Sequence, residues 1–127
     1  MTPGGTFPTP IRRGHVYWVP DAEISLPPEQ NRTPHPRRPV VVLTGDHKND
    51  DGTWPIVVVC PVSSGAQFSE YDVRIPANSG GLSSKGWARV CLIQPMDKNF
   101  IGERLGQFDA RLVDELMANY LGYLGAI

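Results

Sequence analysis

The chain has 127 residues, of which 40% are hydrophobic and 20% charged, with a formal net charge of −1. That length supports a single compact core rather than two, and that balance argues against a disordered chain. It also excludes an overall basic field, so a nucleic-acid partner would have to be held by a local patch.

Met1 to Pro10 is small, polar and rich in proline and glycine, with no apolar stretch of the kind that marks a signal peptide. Residues 1–12 read as a flexible arm and residues 13–127 as one domain. No apolar run is long enough to span a bilayer. Gly14 to Val19 is β-branched and aromatic and predicts a first strand, ended by Pro20. Asp21 to Arg37 holds prolines at 27, 28, 34 and 36 and has no hydrophobic period, which predicts a long functional or disordered loop. Asn31-Arg32-Thr33 within it fits a glycosylation sequon, which carries no weight without a secretory signal.

Arg38 to Leu43 is an apolar, β-branched run and predicts a buried strand, with Pro39 tolerated at its start. Gly45 to Trp54 reads as a polar hairpin loop, with Asp51-Gly52 as its turn signal. Pro55 to Val62 predicts a third, central strand, closed by Ser63-Ser64-Gly65. Tyr71 to Ile75 alternates as a half-exposed strand does, and Ser79 to Ser84 reads as a turn. Trp87 to Ile93 predicts a fifth strand with Arg89 pointing outward. Pro95 to Lys98 breaks that pattern, and Asn99 to Gly106 reads as a short helix or turn.

Asp109 suits the N-cap of a terminal helix, with Phe108 and Val113 placed as a hydrophobic staple. Leu112, Val113, Leu116, Met117, Tyr120, Leu121 and Leu124 then recur at helical spacing, and Gly125 is the expected stop. Short strands, glycine and proline turns and one terminal helix suggest a small, strongly curved sheet or barrel.

Most catalytic templates fail. There is no glycine-rich phosphate loop, no nucleophile elbow and no His-Glu-x-x-His. Cys60 and Cys91 lie in apolar runs and read as reduced, buried thiols, and His15, His35 and His47 have no ligand spacing. No metal and no cofactor is expected. What remains is a pair of strand ends. If the second and third strands pair antiparallel, Arg38 at one start and Ser63 at the other end face one site. A guanidinium binds phosphate through a planar fork and stays charged. A hydroxyl beside it suits developing phosphorane charge.

These residues, taken in order, resemble the MazF/PemK toxins of bacterial toxin–antitoxin systems. The stretches are Arg13 to Val19, Arg38-Pro39-Val40-Val41-Val42-Leu43, Val57 to Ser64, Gly81-Leu82, Trp87-Ala88-Arg89-Val90, Asp97-Lys98 and Arg104-Leu105-Gly106. The resemblance runs from about Arg13 to Leu124. It implies a mainly β fold with helices (α+β): a small SH3-like barrel of antiparallel strands with a C-terminal helix, the CcdB/MazF-like fold, paired as a homodimer. It implies a metal-independent endoribonuclease (an mRNA interferase) of the bacterial cytoplasm, which cuts single-stranded RNA at short sequences and is neutralised by a cognate antitoxin protein. The family's catalytic arginine maps to Arg38 and its catalytic threonine to Ser63. Arg37, Arg32, His35, Ser64 and Trp18 are the expected RNA-binding residues, with Trp18 and Trp54 as candidate stacking platforms.

Two stretches depart from the family's pattern. Cys91-Leu92 replaces a polar Asp-Gln pair and Gln94 replaces an arginine, and Glu29-Gln30 lies farther upstream of Arg38 than the family's Glu-Gln pair. Two other readings stay open on the sequence. One is a CcdB-like inhibitor of DNA gyrase without catalysis. The other is a degenerate barrel kept as a binding module.

Overall fold

The structure, a computed structural model, describes residues 10–27 and 35–127. Its strands are β1 (His15–Pro20), β2 (Arg37–Val42), β3 (Ile56–Ser63), β4 (Val73–Ile75), β5 (Gly86–Ala88), β6 (Gln94–Asp97) and β7 (Arg104–Gln107). They form one seven-stranded sheet in the order β4-β5-β3-β2-β1-β7, with β6 also on β3. Every pairing is antiparallel. The sheet curls into a half-barrel with a C-terminal helix, as expected.

β2 and β3 read as unbroken apolar runs because both of their faces are buried. Val41, Cys60 and Val62 join Val16, Val73 and Leu116 in one core. Val40, Val42, Val57 and Val59 join Tyr17, Val19, Met96 and Ile101 in a second core on the other face. Cys60 is fully buried, and burial pushes its thiol well above the ordinary range. Cys91 is half-buried and its Sγ lies 3.3 Å from Ser69 Oγ; both cysteines are unbridged. Of the expected arm, residues 10–12 fall within the described part: Tyr17 donates through its hydroxyl to the Pro10 carbonyl at 2.9 Å, and Ile11 is buried.

The terminal helix, α2 (Ala110–Tyr123), starts and stops where its sequence signals stand. The Asp109 carboxylate accepts from the Leu112 N–H at 2.9 Å. Phe108 and Val113 are buried in one core, the staple expected of them. At the other end Gly125 takes φ +75°, with Gly125 N–H on Gly122 O and Ala126 N–H on Leu121 O. That double bond is a Schellman stop, and glycine suits it because a Cβ disfavours this backbone region.

Five expectations are corrected. The strand expected over Trp87 to Ile93 ends at Ala88; Arg89 leaves the ladder, and Val90–Leu92 form a 3-10 turn. Its Arg89 is 7% exposed rather than outward. Gln94–Asp97 is a strand, not a break, with Pro95 opposite Val58. Among the described residues β6 pairs only with β3, and a strand with an unpaired side can carry a proline. Arg104–Gln107 is also a strand, on β1, preceded by a 3-10 turn at Lys98–Phe100. Four residues are too few to show a period. The loop at residues 45–54 contains a one-turn helix, α1 (Asp46–Asn49). Lys98 holds this turn from beneath: its buried Nζ donates to the carbonyls of Lys48, Asn49 and Asp51 at 2.7, 3.3 and 2.9 Å.

Candidate functional site

Val40 pairs with Pro61 across the β2–β3 ladder. Continuing that register by two residues puts Arg38 and Ser63 at the same end. There an open groove of about 820 Å³ begins, and both residues line it. Trp18, His35, Arg37 and Ser64 line it as well. The sequence therefore named six residues that one groove brings together. Arg32, the seventh, lies outside the described residues, as does Glu29-Gln30. Trp54 is not in the groove; it is 40% exposed, with Lys48 Nζ 4.8 Å from its ring centroid.

Each side chain is positioned by its element. Arg38 comes off β2 opposite Val19, and its Nε donates to the carboxylate of Asp21 just beyond β1. Both side chains are nearly buried, at 11% and 12% exposure. Asp21 is fixed in turn, because its backbone N–H donates to Pro36 O at 3.3 Å and its Oδ2 accepts from the His35 N–H at 3.4 Å. One residue earlier, the Arg37 guanidinium stacks on Trp18, 4.2 Å from the ring centroid. Such a stack holds the cation flat while leaving its charge toward solvent.

Ser63 ends β3, and its Oγ accepts from Arg89 Nε at 2.7 Å. The same guanidinium donates to Ser64 O at 2.9 Å, Ala66 O at 3.0 Å and Asp72 Oδ2 at 2.8 Å. Trp87 Nε1 adds a bond to Gly65 O at 3.0 Å. The rim after β3 is thus tied to β5 and its neighbour, and it carries Phe68 exposed at the groove.

The charge of the groove is one-sided. Arg37, Arg38, Lys85 and Arg89 line it, and among the described residues no aspartate or glutamate does. Asp21 and Asp72 bind Arg38 and Arg89 without joining its lining. A chain of net charge −1 therefore carries a local cationic patch, with hydroxyls from Ser63, Ser64, Ser83 and Ser84 along it. The chemistry this offers is anion binding next to hydrogen-bond donors. Among the described residues no cluster of three or more histidine, cysteine, aspartate or glutamate side chains gathers to hold a metal.

The sequence did not point to Arg89, Lys85, Asp21 or Asp72. Arg89 was read as outward because residues alternate along a strand, and the strand stops one residue before it. Asp21 stands in a segment with no hydrophobic period, and the alternation of Tyr71 to Ile75 puts Asp72 on the exposed face, so neither is marked as a buried partner.

The family described as "PemK-like, MazF-like toxin of type II toxin-antitoxin system" matches residues 12–120. No curated protein matches the chain. Among solved structures, a MazE-MazF crystal structure from Deinococcus radiodurans is similar with TM-score 0.70 and 24% identity, covering 92% of this chain and 97% of that one. An endoribonuclease in complex with its cognate antitoxin, from a mycobacterial species, has TM-score 0.68 and 16% identity over 91% of this chain and 96% of that one. The Mycobacterium tuberculosis toxin MazF-mt6 has TM-score 0.68 and 15% identity over 87% and 96%.

Proposed function

The chain belongs to the PemK-like, MazF-like toxins of type II toxin–antitoxin systems, and on that premise we propose that it is an endoribonuclease that cuts single-stranded RNA. The observation that carries this reading is the groove: among the described residues, four cationic side chains and no carboxylate line it, with Arg38 and Ser63 at one end. A polyanion is the ligand such a lining suits.

In the proposed reaction the ribose 2′-oxygen attacks the adjacent phosphorus. The bond from phosphorus to the 5′-oxygen breaks, leaving a 2′,3′-cyclic phosphate and a 5′-hydroxyl. Arg38 neutralises the charge that builds on the phosphorane oxygens, and Ser63 donates a hydrogen bond to one of them. The 2′-hydroxyl proton passes to water, and the departing 5′-oxygen takes one from water, while Arg38 stays charged and hydrogen-bonds to the oxygens that gain charge. DNA lacks the nucleophile, so the groove discriminates chemically as well as by fit. Arg37 stacked on Trp18, with His35 and Ser64, holds the flanking nucleotides, and Arg32 is a further RNA-binding residue in this reading. No metal or cofactor takes part. Residues 13–127 act as one toxin domain, as a homodimer in the bacterial cytoplasm, and a cognate antitoxin protein blocks the groove. Among the described residues no helix is long and apolar enough to cross a membrane.

The test is cleavage of a long, unstructured RNA in EDTA by the wild type and by Arg38→Ala, with the 5′ ends mapped. Discrete cuts that leave 5′-hydroxyls and vanish in the variant are expected. A folded wild type that cuts none of several varied RNAs overturns the reading.

A further inference from the structure

The Arg89–Asp72 pair is nearly buried, with Arg89 in the wall of the groove and Asp72 behind it, and no step of the reaction above uses it. Arg89 is 7% exposed and the Asp72 side chain 0%. A buried ion pair is weak evidence for stability alone, because desolvation of two charges offsets their attraction. The detail that calls for a role is where the guanidinium points. Its Nε bond goes to a side-chain hydroxyl, Ser63 Oγ at 2.7 Å, while its other nitrogens take the carbonyls of Ser64 and Ala66 and the Asp72 carboxylate.

A serine hydroxyl has one proton and rotates among three staggered wells. A guanidinium has only donors. At 2.7 Å the Ser63 oxygen must therefore accept from Arg89, and its own proton is turned away from Arg89. Ser63 itself lines the groove, where a phosphate oxygen would accept that proton. The bond is charge-assisted, so it also polarises the Ser63 O–H and makes it a stronger donor. Arg89 can do this only if it is itself immobile. Asp72, two carbonyls and its own N–H on Pro61 O at 2.8 Å hold it. Asp72 is anchored in turn by the N–H groups of Phe68 and Ser69, at 2.7 and 3.2 Å.

We propose that Arg89 is the positioning residue of the Ser63 hydroxyl: it fixes the rotamer and aims the O–H at the scissile phosphate, with Asp72 as its anchor. The inference rests on the reading of Ser63 as a phosphate donor. Arg89 acts through Ser63 and need not touch the reacting atoms.

Arg89→Lys keeps the charge beside Asp72 but cannot present a second nitrogen to Ser63. The rate and KM are measured on one RNA oligonucleotide for wild type, S63A, R89K, S63A/R89K and S63T/R89K. R89K is expected to lower kcat about tenfold to a hundredfold with KM unchanged. In the S63A background the same change is expected to cost nothing more. S63T/R89K is expected to recover part of the rate, because a β-branched side chain restricts χ1 without help. If R89K does not fold, D72N/R89M removes both charges together and strands neither, and the same loss of kcat is expected of it. Equal losses from R89K in the wild-type and S63A backgrounds, or a loss confined to KM, would overturn the positioning role while leaving the ribonuclease intact. S63A cutting at the wild-type rate overturns the role of Ser63 and this inference with it, and a wild type that cuts no RNA overturns both together with the ribonuclease.

Discussion

Arg38 donates through Nε to the carboxylate of Asp21, and the two side chains are shielded from water together. The pair joins the start of β2 to the turn that follows β1. A guanidinium on a long flexible stem is thereby given one direction. Asp21→Asn keeps the shape and removes the charge. It is expected to cost about 1–3 kcal/mol of stability and to lower kcat about tenfold or more, with a smaller effect on KM. Urea unfolding and cleavage kinetics on the same preparation check both. An unchanged kcat would mean that Asp21 does not orient Arg38.

Arg37 and Lys85 are the exposed cations of the groove lining, and Arg37 is stacked on Trp18. Removing either takes away charge without unpacking a core. R37A and K85A are each expected to raise KM several-fold and to leave kcat unchanged. Each is also expected to flatten the salt dependence, lowering the slope of log affinity against log salt by about 0.7 for a phosphate contact on a single strand. A salt series on one oligonucleotide decides it. A slope that does not change places the strand elsewhere.

The juxtaposition of Arg38 and Ser63 was legible because it needed only two rules. Val40 to Val42 and Val57 to Cys60 are apolar enough to be neighbouring strands, and antiparallel neighbours bring the start of one to the end of the other. The helix was legible because Asp109, the apolar spacing and Gly125 are local signals. What was not legible depends on contacts distant in sequence. Arg89 meets Ser63 and Asp72 across 26 and 17 positions, and Arg38 meets Asp21 across 17. Nothing in the spacing of an arginine says that its charge is buried. β6 and β7 were missed for a different reason. Each is four residues long, and one contains a proline that only an edge tolerates.

Lys98 is a case where a motif residue has a structural task. It is 1% exposed, it does not line the groove, and its ammonium ties three carbonyls around α1. Burial pushes its pKa down from the ordinary lysine value. Lys98→Met fills the same volume and removes the donors. It is expected to destabilise the fold by about 2–4 kcal/mol, the cost of leaving buried acceptors unsatisfied. The rate per folded molecule is expected to stay at the wild-type value. Thermal unfolding and a cleavage assay well below the midpoint separate the two effects, and a lost rate in a stable variant would place Lys98 in the reaction.

Asp46 gives a pH dependence with a definite sign. Burial would raise its pKa, but the N–H of Arg13 at 2.8 Å and the amide of Asn49 at 3.0 Å favour the carboxylate, with Arg12 adding to them, and the net shift is downward. The folded state then binds a proton less readily than the unfolded chain. The stabilisation is complete above the ordinary aspartate pKa, about 3.9. It is lost as pH falls through the lower, folded value. The side chain is 47% exposed, so solvent screening keeps the effect below about 1 kcal/mol. Asp46→Asn is expected to be less stable than wild type at pH 7, and the gap between them is expected to close as pH falls well below the ordinary aspartate pKa. Urea midpoints at a series of pH values measure that gap directly. A gap that stays constant down to acid would mean that the charge of Asp46 contributes nothing and that the hydrogen bonds alone hold Arg13 to α1.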